Sequence, residues 1–368
     1  MAKDLLYYNP HTIADQNTAH ALPGVGKFYR FFAFYNKSNV ALFDRTGVIR
    51  IPIRMKNLFP VPAMRPMKDS LEELCNERAR ELLSLAESNN VPINVMWSGG
   101  IDSTLALVSL LKNATAAQKD RIVVLLTQDS ISENPNFYAD HVRGSVQVRS
   151  SNTLPYLIGT PCVILGGEGN DQIFGASAVY KKIVERFSPK VLHEPYNRDF
   201  FFKHYSQASD DSGFVNFYLD LMERLCDASP VPIVTNADFA WWDKFVMKWQ
   251  CVSTRKIALV SPRNKDLVTP EWMESMYHQF FMTDKFELWS MNNMDKRIKD
   301  TWPSYKWPCK DIIYDFTKDS EYRDFKTKWG SLSGVFAQRH TYNYIDDAWQ
   351  LYDTLSPEEY YEPNNDFI

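Results

Sequence analysis

Apolar and polar positions along the chain change period more than once, and each change predicts a different kind of element. Residues 1 to about 65 hold three short segments rich in aromatic and β-branched side chains, "KFYRFFAFY", "NVALFDR" and "GVIRIPIRM", separated by polar turn residues. Such segments predict a small antiparallel β meander. "FPVPAMRP" follows as a Pro-punctuated connector. The period then becomes helical in "SLEELCNERARELLSLAESNN", where Leu71, Leu74, Ala79, Leu82 and Leu83 form an apolar stripe. Ser70 is the expected N-cap, with Glu73 three residues later as its capping-box partner.

From there to about residue 190, short apolar runs alternate with helical patterns. "VPINVMW" reads as a strand, "STLALVSLLKN" as a helix, "RIVVLLT" as a strand, "NPNFYADHVRG" as a helix and "SVQVRSS" as a strand. "PCVILGG" reads as a further strand, "EGNDQIFG" as a loop and "ASAVYKKIVERF" as a helix. Strands that are near-continuous apolar runs, alternating with helices, predict an α/β fold: a parallel sheet with helices on both faces. Beyond residue 190 strand signals mostly vanish, and aromatic residues recur at helical spacing in "DFAWWDKFVMKW" and "WMESMYHQFFM". The expected organisation is a β-rich region over 1–65, an α/β core over 66–190, and a mainly helical part with a C-terminal tail over 191–368.

Composition narrows the class. The 368 residues carry 45 acidic against 41 basic side chains, a formal net charge of -4, so no global basic footprint points to nucleic acid or an anionic membrane. No apolar stretch approaches the roughly 20 residues that span a bilayer, and no apolar segment of a signal peptide follows Met1. Five scattered cysteines show no metal-site spacing and no disulfide framework, which fits a reducing, cytoplasmic protein.

The candidate chemistry lies between the strand "VPINVMW" and the next helix. Ser98, Gly99, Gly100, Asp102, Ser103 and Thr104 crowd two glycines, three hydroxyls and a carboxylate into one strand-to-helix loop. Backbone N–H groups around adjacent glycines converge on anions, and a helix N-terminus adds partial positive charge. Asp102 makes sense beside phosphate once a divalent cation joins it. The loop has neither the Gly-x-x-x-x-Gly-Lys-Ser/Thr nor the Gly-x-Gly-x-x-Gly pattern.

"SGGIDST" resembles the PP-loop of the N-type ATP pyrophosphatases. "VILGGEGNDQIFGASAVY" resembles the Gly-Glu-Gly-x-Asp-Glu-x-Phe-Gly-Gly-Tyr segment in the synthetase domain of glutamine-dependent asparagine synthetases, a domain shared with β-lactam synthetases and lasso-peptide cyclases. The resemblance covers roughly residues 66 to 340 and is specific at these two motifs. It implies the adenine-nucleotide α-hydrolase-like fold, with ATP and Mg²⁺ as cofactors.

By that resemblance Ser98, Gly99, Gly100, Asp102, Ser103 and Thr104 cradle the ATP phosphates, and Asp102 and Asp171 share the Mg²⁺. Gly167 passes under the nucleotide, and Glu168 handles the attacking amine. "FKTKWGS" is similar to the family's Arg-Pro-Lys-x-Gly-Phe and "YKWPCKDIIYDF" to its Lys-x-Pro-Leu-Arg helix start. Lys328 is accordingly the candidate cation for the charge on the α-phosphate, with Lys306 as runner-up. The sequence departs from the family at Asp171-Gln172 and at Gly175-Ala176-Ser177. Both departures bear on substrate contacts rather than on the metal.

The resemblance implies an AMP- and pyrophosphate-forming ligase that adenylates a small-molecule or peptide carboxylate and transfers it to nitrogen. The glutaminase half of asparagine synthetase needs a cysteine as first residue after Met removal. Ala2 stands there, and about 65 residues are too few for that domain. Nitrogen is therefore expected from ammonia, a substrate amine or a separate amidotransferase subunit. The competing readings are a PP-loop enzyme that modifies a nucleobase and a nucleotide-binding scaffold without catalysis.

Overall fold

A computed structural model describes residues 3–10, 25–36, 40–175, 177–327 and 344–362. The chain forms two compact units, each assembled from separated segments. One comprises residues 1–64, 171–258 and 341–368, the other residues 65–170 and 259–340. Among the described residues eight strands run in chain order: β1 (Leu5–Tyr7), β2 (Ile93–Met96), β3 (Ile122–Leu126), β4 (Gln147–Ser150), β5 (Val163–Gly166), β6 (Tyr277–Gln279), β7 (Tyr344–Asp346) and β8 (Leu351–Tyr352).

The second unit is α/β. Its sheet has the order β4-β3-β2-β5-β6 with every neighbouring pair parallel. All residues of β2, β3 and β5 are buried, as central parallel strands require, whereas all four residues of the edge strand β4 are exposed. Helices flank this sheet. The Leu71–Ser88 helix buries Leu71, Leu74, Cys75, Ala79, Leu82, Leu83 and Ala86 and packs against the Ile101–Asn113 helix. Its expected capping box is formed: the Glu73 N–H donates to Ser70 Oγ at 3.2 Å and the Ser70 N–H to Glu73 Oε2 at 2.7 Å.

The strand β6 was not legible as one. The run "WMESMYHQFFM" reads as helix throughout, but the helix covers only Pro270–Met276, and Tyr277–Gln279 then joins β5 in register Leu165↔His278. Three residues with a histidine at the centre make no apolar run. The loop "EGNDQIFG" likewise contains a short helix, Asn170–Phe174.

The first unit is mainly helical, with the antiparallel sheet β1-β7-β8 joining the two ends of the chain. Among the described residues the expected N-terminal β meander is not formed. "KFYRFFAFY" lies in the helix Val25–Asn36, because Phe28, Phe31, Phe32 and Tyr35 fall at helical spacing and are all buried. Periodicity outweighed the β propensity of the aromatic rings. That stripe meets the Ser212–Asp227 helix, with the Phe31 and Tyr218 ring centroids 5.7 Å apart. "GVIRIPIRM" buries Ile49, Ile51 and Ile53 in strand-like alternation, and among the described residues it pairs through the isolated bridges Leu5↔Met55 and Ile53↔Tyr361. Pro52 removes a donor there. Among the described residues no helix is long and apolar enough to cross a membrane.

The Ser70→Ala variant should lose about 1 kcal/mol of unfolding free energy in urea, as expected for an N-cap. A change below about 0.3 kcal/mol would mean that tertiary contacts alone hold this helix end.

Candidate functional site

β2 pairs with β5 in register Val95↔Leu165, so the loops that leave the two strands emerge side by side at their C-terminal ends. β3 continues the sheet on one side of this pair and β6 on the other. A change of direction in strand order is where open α/β sheets bind ligands.

The first loop is tied to itself. Ser98 N–H donates to Ser103 Oγ at 3.0 Å, Gly100 N–H to Ser98 Oγ at 3.2 Å, and the Ser98 and Ser103 hydroxyls lie 3.0 Å apart. Gly99 has φ +75°, and a Cβ there would stand 2.4 Å from the Ser130 carbonyl and 2.9 Å from Glu133 Cβ. Only glycine fits that backbone. The helix Ile101–Asn113 starts directly behind, so its first N–H groups face the loop. Thr104 is fully buried, and its hydroxyl accepts from Trp97 Nε1 at 3.0 Å. Its place is that of a brace beneath the loop.

The second loop sits on the first. A Cβ on Gly167 would meet the Ser103 nitrogen at 3.0 Å and the Asp102 carbonyl carbon at 3.2 Å. The absence of a side chain at 167 lets this backbone rest on the first helical turn. Glu168, half-buried, is anchored by its N–H to Gln279 Oε1 at 3.2 Å, and Gln279 Nε2 donates to the Tyr277 hydroxyl at 2.9 Å. The overlooked strand β6 thus positions the candidate catalytic glutamate.

Charge converges on these loops. Asp102 Oδ1 accepts from Asn170 Nδ2 at 2.7 Å and from Lys306 Nζ at 2.6 Å. Lys306 takes the left-handed conformation with φ 59°, immediately before the helix Trp307–Thr317. A second pair joins Lys326 Nζ to Glu133 Oε1 at 2.9 Å, with both side chains largely buried. Glu133 lies against the Ser98–Thr104 loop, since a Cβ on Gly100 would be 3.4 Å from its Oε1. Lys310 donates to the carbonyls of Pro303 and Lys326, bracing the backbone that carries Lys326. Burial lowers the Lys310 ammonium to about 8, with smaller effects from its neighbours. Burial pushes the Cys309 thiol up to about 12, so it stays protonated behind Asn170, whose Nδ2 donates to its sulfur at 3.5 Å.

Of the residues expected from the sequence, Ser98, Gly99, Gly100, Asp102, Ser103, Thr104, Gly167, Glu168 and Lys306 therefore gather at the ends of β2 and β5. Asp171 is half-buried in the first turn of the short helix that begins at Asn170. Lys328 lies outside the described residues. The pattern reading missed Asn170, Glu133, Lys310 and Lys326. Lys326 stands two residues before Lys328 in the same quoted stretch, and Glu133 reads in sequence as an ordinary solvated helix charge. Among the described residues no group of three or more His, Cys, Asp and Glu side chains assembles into a metal site. An ion here would complete its shell with water or with the oxygens of a bound ligand.

A scan against protein-family models matches none, and a search among curated proteins finds no relative.

Two outcomes test this geometry. Gly99→Ala should cost roughly 1–3 kcal/mol through backbone strain alone, and more through the Ser130 and Glu133 contacts; unchanged denaturation would refute the close approach. Lys310 carries a depressed folded-state value, so between about pH 8 and the ordinary lysine value of 10.5 the unfolded chain holds a proton that the folded protein lacks. Stability therefore rises with pH across that window. The wild-type chain should gain on Lys310→Met as pH goes from about 7 to about 10 in denaturant titrations, and a flat or opposite trend would remove the buried ammonium from the account.

Proposed function

We propose that the chain is an ATP-dependent carbon–nitrogen ligase that forms AMP and pyrophosphate, adenylating a carboxylate and passing the acyl group to ammonia or an amine. The observation that supports this reading best is the seating of the Gly167–Glu168 loop on the Ser98–Thr104 loop at adjacent strand ends, with Lys306 and Lys326 close by.

In the proposed reaction a carboxylate oxygen of the substrate attacks the α-phosphorus of ATP. The bond from that phosphorus to the bridging oxygen breaks, and pyrophosphate leaves. The nitrogen lone pair then attacks the acyl carbon, forming the amide and releasing AMP. Backbone N–H groups of the Ser98–Thr104 loop and the helix N-terminus bind the departing pyrophosphate. Negative charge gathers on the phosphorus in the first step, and preorganised lysines lower its cost. Lys326 and Lys306 fill that role here, Lys326 in the stretch that also holds Lys328. Glu168 takes the proton that the attacking nitrogen sheds.

The residues fit a magnesium ion, because Asp102 already accepts from one cationic donor and so sits where positive charge is favoured. Asp102 would hold the ion, which supplies charge neutralisation for the phosphates. A chain that consumes ATP in this way belongs in an ATP-rich compartment such as the cytoplasm.

Incubation with ATP, Mg²⁺ and a library of carboxylates and amines should release AMP and pyrophosphate in equal amounts. Release of ADP would exclude the reading, and stimulation by a nucleobase or RNA instead of a carboxylate would favour a nucleobase-modifying enzyme. Lys326→Met should lower kcat by about 100-fold with little change in KM for ATP, the size expected on losing one transition-state donor. Full activity in that variant would take Lys326 out of the chemistry.

A further inference from the structure

Lys306 is buried to an extent unusual for an ammonium. Its side chain is 2% exposed, whereas that of Asp102 is 25% exposed. The lysine therefore meets the loop's mouth through its carboxylate partner. A lone buried ammonium is strongly disfavoured, and a carboxylate in contact keeps it charged. The lysine backbone is pinned: its N–H donates to the Arg297 carbonyl at 3.0 Å, and its carbonyl accepts from the Lys310 N–H at 3.2 Å. Asn170, fully buried, holds the same Asp102 oxygen from the other loop.

Asp102 also creates a difficulty. It lies in the first turn of the helix Ile101–Asn113, where the helix N-terminus favours negative charge. There it competes with an incoming polyphosphate for the same positive end, and it repels that ligand unless something neutralises it.

We propose that Lys306 is an internal counter-ion which the loop trades for a divalent cation. This rests on reading the loop as a polyphosphate site. Without ligand, Lys306 neutralises Asp102. When a metal-complexed polyphosphate arrives, Asp102 passes from the ammonium to the divalent cation, and Lys306 is released to the phosphate oxygens. Every negative group keeps a positive partner through the exchange. Without the metal the exchange cannot finish, because moving Lys306 to phosphate leaves Asp102 uncompensated beside it. The metal dependence of binding thus resides in this one pair, and Asn170 keeps Asp102 in place in both states.

The test is calorimetric titration with inorganic pyrophosphate, once with Mg²⁺ and once with a chelator, on the wild-type chain, Asp102→Asn and Lys306→Met. The wild-type chain should bind at least about tenfold more tightly with Mg²⁺, and Asp102→Asn should bind metal-free pyrophosphate at least about tenfold more tightly than the wild type does, a shift well within calorimetric reach. Lys306→Met should bind weakly under both conditions. Metal-free affinity no higher in Asp102→Asn than in the wild type would overturn the exchange. Binding to none of the three proteins in either condition would instead remove the polyphosphate reading, and the exchange with it.

Asp102→Asn strands the Lys306 ammonium, and that variant can fail to fold. In that event Lys306→Met decides the matter through Mn²⁺ binding in the absence of any phosphate, followed by water-proton relaxation. Removal of the internal competitor should tighten Mn²⁺ binding relative to the wild-type chain, and equal affinities would overturn the exchange.

Discussion

The parallel pairing of β2 with β5 is the constraint on which the rest of the site depends. Hydrogen bonds along Ile93↔Val163, Asn94↔Ile164 and Val95↔Leu165 fix where both strands end. The loop after each strand then has little choice of position. Because 167 carries no side chain, the second backbone can settle within van der Waals contact of the first turn behind the first loop. A slip of one residue in this register would turn every side chain of a strand to the opposite face, which the full burial of β2 and β5 does not tolerate. Core packing thereby sets the spacing of the polar groups at the strand ends.

Electrostatics then has to be balanced where the glycine loop meets a helix N-terminus. Two carboxylates stand at the loop, Asp102 in the helix turn and Glu133 under the glycines, and each is met by a buried lysine. Neither pair is a surface ion pair of marginal worth, because removing Asp102 would leave the Lys306 ammonium, and removing Lys326 the Glu133 carboxylate, uncompensated at depth. Lys310 adds a third ammonium that has no carboxylate among its hydrogen-bond acceptors and relies on two backbone carbonyls. Its depressed affinity for the proton follows first from burial.

Much of this was legible in the sequence, and what was missed has physical causes. The strands β2, β3 and β5 were readable as short continuous apolar runs, β4 as the segment after the next helical pattern, and the helix behind Gly100 from the 13-residue apolar-rich stretch that follows the loop. The capping box at Ser70 was readable because its two residues are local partners. The aromatic segment at 28–35 was misread because rings that favour strands sat at helical spacing, and burial of the helical stripe decided the outcome. β6 is only three residues long, and its strand character comes from pairing with β5 rather than from its composition. The cluster of glycines, hydroxyls and a carboxylate announced the loop. Asn170, Glu133 and Lys326 were silent because their importance lies in partners far along the chain, 193 residues away for Lys326 and Glu133, and Lys310 because its partners are backbone carbonyls.

The same distinction bears on where the sequence departs from the motif it resembles. Gly166, Gly167, Glu168, Gly169 and Asn170 end one compact unit, and Asp171 and Gln172 begin the segment that belongs to the other. The departures start at Gln172, on the far side of that boundary. Gln172 is buried, and its Oε1 has no hydrogen-bond partner among the described residues. A carboxylate at that depth would require a cation, as Asp102 and Glu133 do; an amide keeps a similar shape without that demand. The half of the motif that meets the Ser98–Thr104 loop stands among paired charges. The half beyond the boundary carries a neutral amide at 172 where the motif it resembles has a carboxylate.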